Sequence, residues 1–246
     1  MKQKVAIITG ASSGIGAATA KELATAGVKV MMSARRVERM LELQKEIESL
    51  GGEACCQVAD VTSLSDMEVL AQRTIECFGK IDILINNAGI SPFSYLQKRR
   101  VQEWDQMIDV NIKGVLNGIA AVLPHMEERN EGHIINLSSV AGHEITPVRV
   151  VYSATKFSVR VITEGLRREL RPDQQIRTTL ISPGAVETEI SAGITDQEAI
   201  ELLGRQASEQ QALQAEDIAR VIRFAVEQPA SVAINEIVVR PTSQRR

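Results

Sequence analysis

Cysteine is scarce in this sequence, and what there is forms no framework. The chain has 246 residues and three cysteines, Cys55, Cys56 and Cys77. Cys55 and Cys56 are neighbours and are not expected to pair with each other, and no metal-ligand spacing is present. A reducing, cytoplasmic setting is the simplest expectation. The histidines, His125, His133 and His143, are scattered and make no metal cluster. No segment is expected to reach the length of a membrane span. Met1-Lys2-Gln3-Lys4 runs straight into a short apolar stretch ending at Gly10, which is not the pattern of a signal peptide. Basic excess is missing too. A net charge of -3 and a pI near 5.8 argue against nucleic acid as a partner. There is no internal repeat, low-complexity tract or linker. With 44% hydrophobic residues the chain can build one sizeable core, so residues 1–246 are expected to form a single domain.

What is present alternates. Short apolar runs at about 5–8, 28–32, 53–58, 81–85, 133–137, 178–181 and 234–239 read as strands buried on both faces. Helical patterns lie between them. One carries Ala17, Ala20, Leu23 and Ala24 and stops at Gly27. Another, over 36–50, turns Met40, Leu41, Leu43 and Ile47 inward. Further helices are expected at 64–77, at 104–129 with a bend near Gly114 and Gly118, from Tyr152 to about Leu170, and at 215–227. The polar stretch 187–214 reads as a mobile excursion with short helical patches. The pattern predicts an α/β fold: a doubly wound parallel sheet of about seven strands with helices on both faces.

The first strand runs into Thr9-Gly10-Ala11-Ser12-Ser13-Gly14-Ile15-Gly16. Glycines between a buried strand and a helix N-terminus allow close approach of a diphosphate, and the free N–H groups and helix dipole favour it. Strand two ends in Ser33-Ala34-Arg35-Arg36. A carboxylate there would bind ribose hydroxyls and indicate NAD. Arg35 instead suits a 2′-phosphate and indicates NADP, or else Arg35 and Arg36 simply begin a solvated helix. Asp60-Val61 follows strand three, where Asp60 either meets an adenine amine or caps the next helix. Asn86-Asn87-Ala88-Gly89 follows strand four, and Ser138-Ser139 follows strand five. Asn111 lies inside a helix, where an amide facing the core needs a reason. Tyr152 and Lys156 stand four apart, on one helical face. An ammonium beside a phenol favours the phenolate and would let Tyr152 exchange a proton near neutral pH. On its own the spacing equally suits a half-buried tyrosine and a solvated lysine.

Taken together, the ordered motifs make the chain resemble the short-chain dehydrogenase/reductase family, in its main single-domain branch, from Lys4 to about Pro241. The resemblance implies an oxidoreductase that moves a hydride between NADP and a carbonyl or secondary alcohol. It implies Tyr152 as general acid or base, and Lys156 as the group that tunes Tyr152 and holds the nicotinamide ribose. Ser139 would be the hydrogen-bond donor to the substrate oxygen. Asn111 would hold a water that links Lys156 to solvent. Cofactor contacts are implied at Gly10, Ser12, Ser13, Gly14, Ile15 and Gly16, at Arg35 and Arg36, and at Asp60 and Val61. Others are implied at Asn87, Ala88 and Gly89, and at Pro183, Gly184, Val186 and Thr188. NADP-dependent members often carry a basic residue where this chain has Ser13, so the phosphate would rest on Arg35 with Arg36 or Ser33. The closing stretch Asn235-Glu236-Ile237-Val238-Val239-Arg240-Pro241-Thr242 is similar to the bacterial 3-hydroxy-acid and serine dehydrogenase group and its clavulanate-type relatives.

The substrate is expected to be a small hydroxy acid or a related alcohol, bound between the segment after Ser139 and residues 187–214. His143, Glu144, Ile145, Ile190 and Ile194 are candidate lining residues. Two other functions stay open. One is a ketoacyl-thioester reductase, with Lys98, Arg99 and Arg100 as a patch for an acidic carrier protein. The other is a nucleotide-sensing protein without catalysis. Members of the family are commonly homotetramers, and a homotetramer or homodimer is expected. The run Val115, Leu116, Ile119, Val122, Leu123 suits either a helix interface or core packing.

Overall fold

The structure, a computed structural model, describes residues 3–208 and 211–244. Positions 209 and 210 of the expected excursion, and both chain ends of the expected domain, lie outside the described residues. Seven strands are seen among the described residues: β1 (Val5–Thr9), β2 (Lys29–Ala34), β3 (Ala54–Val58), β4 (Ile83–Asn86), β5 (Glu131–Leu137), β6 (Gln175–Pro183) and β7 (Glu236–Val239). They form one parallel sheet in the order β3-β2-β1-β4-β5-β6-β7. The chain winds outward from β1 in one direction, then restarts at β4 beside β1 and winds the other way. The carboxyl ends of β1 and β4 therefore flank the crevice where open α/β sheets bind ligands.

Alternate residues of β1, β2, β4, β5 and β6 enter opposite cores, whereas the edge strands β3 and β7 are only partly covered. Ile8, Val30, Met32, Ile83 and Ile85 pack on one face with Leu23, Ile218 and Ile222. Those partners lie on α1 (Gly14–Thr25) and α8 (Ala215–Glu227), and α2 (Val37–Ser49) adds Met40, Leu43 and Ile47. Leu41, expected inward, is 47% exposed. Positions 40, 43 and 47 already complete one stripe at helical period, and 41 falls outside it. Ile7, Met31, Leu84 and Ile134 point to the other face. They meet α3 (Leu64–Phe78), α5 (Gly114–Arg129) and α6 (Val150–Glu169). Truncating one of these fully buried side chains to alanine would cost about 2–5 kcal/mol.

The expected bend in the long helix has a specific form. α4 (Val101–Ile108) passes through one π-helical turn, Asp109–Lys113, into α5. The widened turn buries Asn111. The run Val101–Arg129 is long and apolar enough to cross a membrane by length and composition alone, contrary to the expectation that no segment is. Here Met107, Val115, Ile119, Val122 and Met126 bury one side of it against the protein. Of the run that suits either a helix interface or core packing, Val115, Ile119 and Val122 go to the core and Leu116 is exposed.

Residues 187–214 hold more helix than expected, a 3-10 turn at Glu189–Gly193 and α7 (Gln197–Ser208).

Candidate active site

The turn after β1 is held in a shape that only glycine tolerates. Gly10 has φ +66°, and a β-carbon there would lie 2.8 Å from the Ala88 Cα. Gly14, at φ +53°, lies against Thr188. A second clamp joins the turn to the loop after β4. Asn87 donates through Nδ2 to the carbonyls of Thr9, at 2.9 Å, and Gly10, at 3.2 Å. The Thr9 hydroxyl accepts from the backbone N–H groups of Asn87 and Ala88. Asn87 thus fastens the two sides of the crevice together. Beneath it, Asn86 donates to Asn136 at 2.9 Å, and Asn136 donates to Thr163 on α6 at 2.9 Å, so these buried amides are paired.

Asn111 ties the loop after β4 to the helix that carries Tyr152. Its Oδ1 accepts from the Ile90 N–H at 2.9 Å, and its Nδ2 donates to the Ile90 carbonyl at 3.0 Å and to Thr155 Oγ1 at 3.1 Å. The π turn supplies the reason for an amide in the core: it brings a side chain to a loop backbone that would otherwise lack partners.

Tyr152 and Lys156 share the buried face of α6, as their spacing requires. Lys156 Nζ donates to the Leu137 carbonyl at 2.8 Å and lies 5.6 Å from the centre of the Tyr152 ring. Burial alone pulls its ammonium down to about 8. The Tyr152 phenol was expected to be depressed. In the protein by itself burial dominates and pushes it up to about 12, opposed by the Ser139 hydroxyl and by the charge of Arg149. Desolvation of the phenolate in this cleft outweighs the opposing hydroxyl and guanidinium.

Ser139 sits at the carboxyl end of β5. Its Oγ accepts from the Ala141 N–H at 3.1 Å and donates to the Pro183 carbonyl at 3.3 Å. Ser138 is buried and donates to the Lys156 carbonyl at 3.0 Å, so it locks α6 in place while Ser139 stays beside the phenol.

Two residues the sequence reading missed complete this wall. The Phe93 ring meets Tyr152 edge-on at 5.2 Å, and the Arg149 guanidinium lies 5.4 Å from the Phe93 centre. Arg149 stands one turn before Tyr152, a spacing legible in the sequence. Phe93 arrives from 59 positions upstream, which no local pattern records. Ile194 and Ala199 of the 187–214 segment are buried in the same cluster as Tyr152. His143, expected in the pocket, instead contacts Ser182 at 3.1 Å and Glu236 at 2.9 Å, and Ile145 is 69% exposed.

At the other end of the crevice, Arg35 and Arg36 are exposed, while Ser33 is buried. Arg36 donates to Ser12 and Ser13 of the glycine turn, at 3.0 and 2.7 Å. Asp60 does not cap α3. Its Oδ1 accepts from the backbone and hydroxyl of Thr62, and Ser63 makes the cap instead. Val61 packs beside Gly114. Pro183 ends β6, Gly184 abuts Gln244, and Val186 pairs with Leu213. Ile15 packs against the α1-side core. No group of histidine, cysteine, aspartate or glutamate that could hold a metal ion is found among the described residues.

The cradle fits a nicotinamide dinucleotide. Its turn has no room for a β-carbon at Gly10, a helix N-terminus opens onto it, and two serines and an arginine face one end. The family model of the short chain dehydrogenases matches residues 4–199. An uncharacterized oxidoreductase of Staphylococcus saprophyticus is 45% identical over 245 residues, covering 99% of this chain and 98% of the relative. The closed form of a serine dehydrogenase complexed with NADP+ has 34% identity and a TM-score of 0.90, covering 98% of this chain and 96% of that one. A short chain dehydrogenase/reductase from Burkholderia phymatum in complex with NAD has 28% identity and a TM-score of 0.88, covering 96% and 89%. The crevice at the switch point, the buried tyrosine and lysine behind it, and these matches lead to one conclusion: the chain belongs to the short-chain dehydrogenase family of oxidoreductases.

Proposed function

We propose that the protein is an NADP(H)-dependent oxidoreductase acting on the CH–OH group of a small hydroxy acid or related alcohol, or on the matching carbonyl. The observation that carries this reading is the juxtaposition of Ser139, Tyr152 and Lys156 at the carboxyl end of β5, with Lys156 against Gly89 of the loop whose Ala88 abuts the glycine turn. When bound, the nicotinamide would supply or accept the hydride. Gly10, Gly14, Ile15 and Gly16 would hold the diphosphate, and Ser12, Ser13, Arg35 and Arg36 the phosphorylated ribose. Asp60 and Val61 would flank the adenine. Asn87, Ala88, Gly89 and Lys156 would take the second ribose, and Pro183, Gly184, Val186 and Thr188 the carboxamide end.

The chain's own residues handle the proton. Tyr152 is held protonated by its surroundings, so it is poised to donate to an oxygen that gains charge during reduction. Ser139 would turn its hydroxyl from the Pro183 carbonyl to donate a hydrogen bond to the same oxygen. Lys156, with a water held at Asn111, would link Tyr152 to solvent, from which its proton is restored. Arg149 brings positive charge to the Tyr152 wall, which favours a substrate carrying a carboxylate. Two of the three basic residues of the rival ketoacyl-thioester patch already have acidic partners in the chain. Lys98 pairs with Glu198 at 2.5 Å and Arg100 with Glu103 at 2.9 Å. The intact tyrosine, lysine and serine set speaks against a sensor without catalysis.

We further propose a single domain working in the cytoplasm as a homotetramer or homodimer. Exposed Leu116 and Val161 on α5 and α6, and Phe224 and Val238 on α8 and β7, are the surfaces such an assembly would cover. Light scattering tests that state. The activity is tested by following nicotinamide absorbance with both cofactors over hydroxy acids, other secondary alcohols, aldehydes and ketoacyl thioesters. Turnover of a hydroxy acid with NADP(H) is the expected result. A clear NAD preference would overturn the assignment of Arg35 and Arg36.

A further inference from the structure

Glu189 lies 153 positions from Arg36, in the 3-10 turn that leads toward α7, yet its carboxylate sits on the arginines beside the glycine turn. Arg36 Nη1 donates to Glu189 Oε2 at 2.8 Å. Arg39 Nη1 donates to both oxygens, at 2.7 and 2.8 Å. The same Arg36 holds Ser12 and Ser13 through Nε and Nη2, so its fork is fully extended between the turn and the carboxylate. Two guanidinium groups, two serine hydroxyls and a helix N-terminus make a site for an anion, and the anion in place is the chain's own.

The strap bearing Glu189 also touches the other side of the crevice. Thr188 lies against Gly14, and the Ile190 carbonyl accepts from Ser91 Oγ, in the loop after β4, at 3.0 Å. Residues 188–190 therefore bridge the cleft, tied to α2 by the carboxylate and to the β4 loop by a backbone carbonyl. Hydrogen bonds from Arg36 and Arg39 hold the carboxyl down to about 2, so the tie is intact at any pH where the protein would work.

We infer that Glu189 is a specificity-determining residue for the cofactor: its carboxylate competes with a ribose 2′-phosphate for Arg36 and Arg39. This rests on the proposed placement of that phosphate at Ser12, Ser13, Arg35 and Arg36. A phosphate ester that binds there must displace the carboxylate, so entry of the phosphorylated cofactor releases one end of the strap. A cofactor without the phosphate leaves the tie in place. Glu189 thereby narrows the margin by which NADP is preferred over NAD and links cofactor entry to the freedom of the 187–214 segment.

The test compares adenosine 2′,5′-bisphosphate with adenosine 5′-phosphate, which differ only in the 2′-phosphate and lack the nicotinamide. Binding of each to the full chain is measured by calorimetry for the wild type, Glu189→Gln and, as a charge-matched control on the same strap, Glu187→Gln. Circular dichroism confirms that each variant is folded, and Glu189→Ser repeats the measurement with a different side chain. Two exposed ion pairs are involved, so Glu189→Gln is expected to tighten the bisphosphate about three- to tenfold while changing the monophosphate less than about twofold. Glu187→Gln is expected to leave both unchanged. Equal gains for the two ligands, no gain, a loss for the bisphosphate, or the same gain in Glu187→Gln would each overturn the inference. The two readings fail separately. A Glu189→Gln variant that binds both ligands equally contradicts the NADP assignment, whereas a variant that favours the bisphosphate by no more than the wild type does contradicts only the competition.

Discussion

Replacing Asn111 by leucine, a side chain of similar size, should unfasten the loop after β4 from the Tyr152 helix. The amide makes three hydrogen bonds, two to the backbone of Ile90 and one to Thr155. Leucine offers none. The Ile90 N–H and carbonyl would each lose a partner in a part of the protein that water reaches only in part. A buried polar group left unsatisfied costs about 1–3 kcal/mol. Thr155 suffers less, because its hydroxyl still donates to the Tyr152 carbonyl at 2.7 Å. Partial access to solvent at Ile90 pulls the sum toward the lower end, giving about 2–4 kcal/mol. Urea unfolding measures it as a lower midpoint at unchanged slope. A loss below about 1 kcal/mol would show that the π turn does not depend on these bonds. Turnover is expected to fall as well, measured where both proteins are fully folded, since Gly89 lies against both the Asn111 amide and Lys156 Nζ.

Other outcomes follow from single sites. Gly10→Ala must hold φ near +66° and push its β-carbon into the Ala88 backbone, 2.8 Å away. It is expected to lose about tenfold or more in cofactor affinity by fluorescence titration and about 4–8 °C in Tm, from roughly 2 kcal/mol of strain. Unchanged affinity would mean that the turn does not meet the cofactor. His133 is buried and neutral, with Thr179 Oγ1 2.8 Å from Nε2 and Arg177 3.4 Å from Nδ1. Burial first, then Arg177, pull it from 6.5 to about 3. The folded value lies below the unfolded one, so this group leaves stability untouched above 6.5 and takes it away as pH falls from 6.5 toward 3. His133→Gln should flatten the decline in stability between about pH 6.5 and pH 4.5, before most carboxylates titrate, as read by chemical unfolding at each pH. An identical acid limb would place the titration elsewhere.

The parts of this protein that were legible in its sequence are those written locally. The alternation of apolar runs and helical stripes gave the parallel sheet because β1, β2, β4, β5 and β6 are buried on both faces. The spacing of Tyr152 and Lys156 put them on one face because α6 is regular there. Gly10 and Gly14 were recognisable because both stand at positive φ where the chain turns. What escaped depends on residues far apart or on broken periodicity. A π turn adds a residue to the repeat, so Asn111 read as an anomaly before the backbone explained it. Phe93 and Glu189 reach the site across long separations, and nothing around them announces their partners. His143 lies close to Ser139 in sequence, but its contacts are with β6 and β7. The ionisation of Tyr152 was misjudged for a related reason. The spacing reveals that an ammonium is near, but not that burial of the phenol outweighs it.

Tyr152 is the residue proposed to move the proton in the oxidoreductase reaction. Tyr152→Phe removes one oxygen from a side chain that is otherwise held by Phe93 and the surrounding cluster, so the fold and the cofactor cradle stay as they are. With a substrate found by the absorbance screen, kcat should fall about a hundred- to ten-thousand-fold, while the cofactor dissociation constant stays within about twofold. Turnover near the parent rate, with the cofactor still bound, would contradict the account.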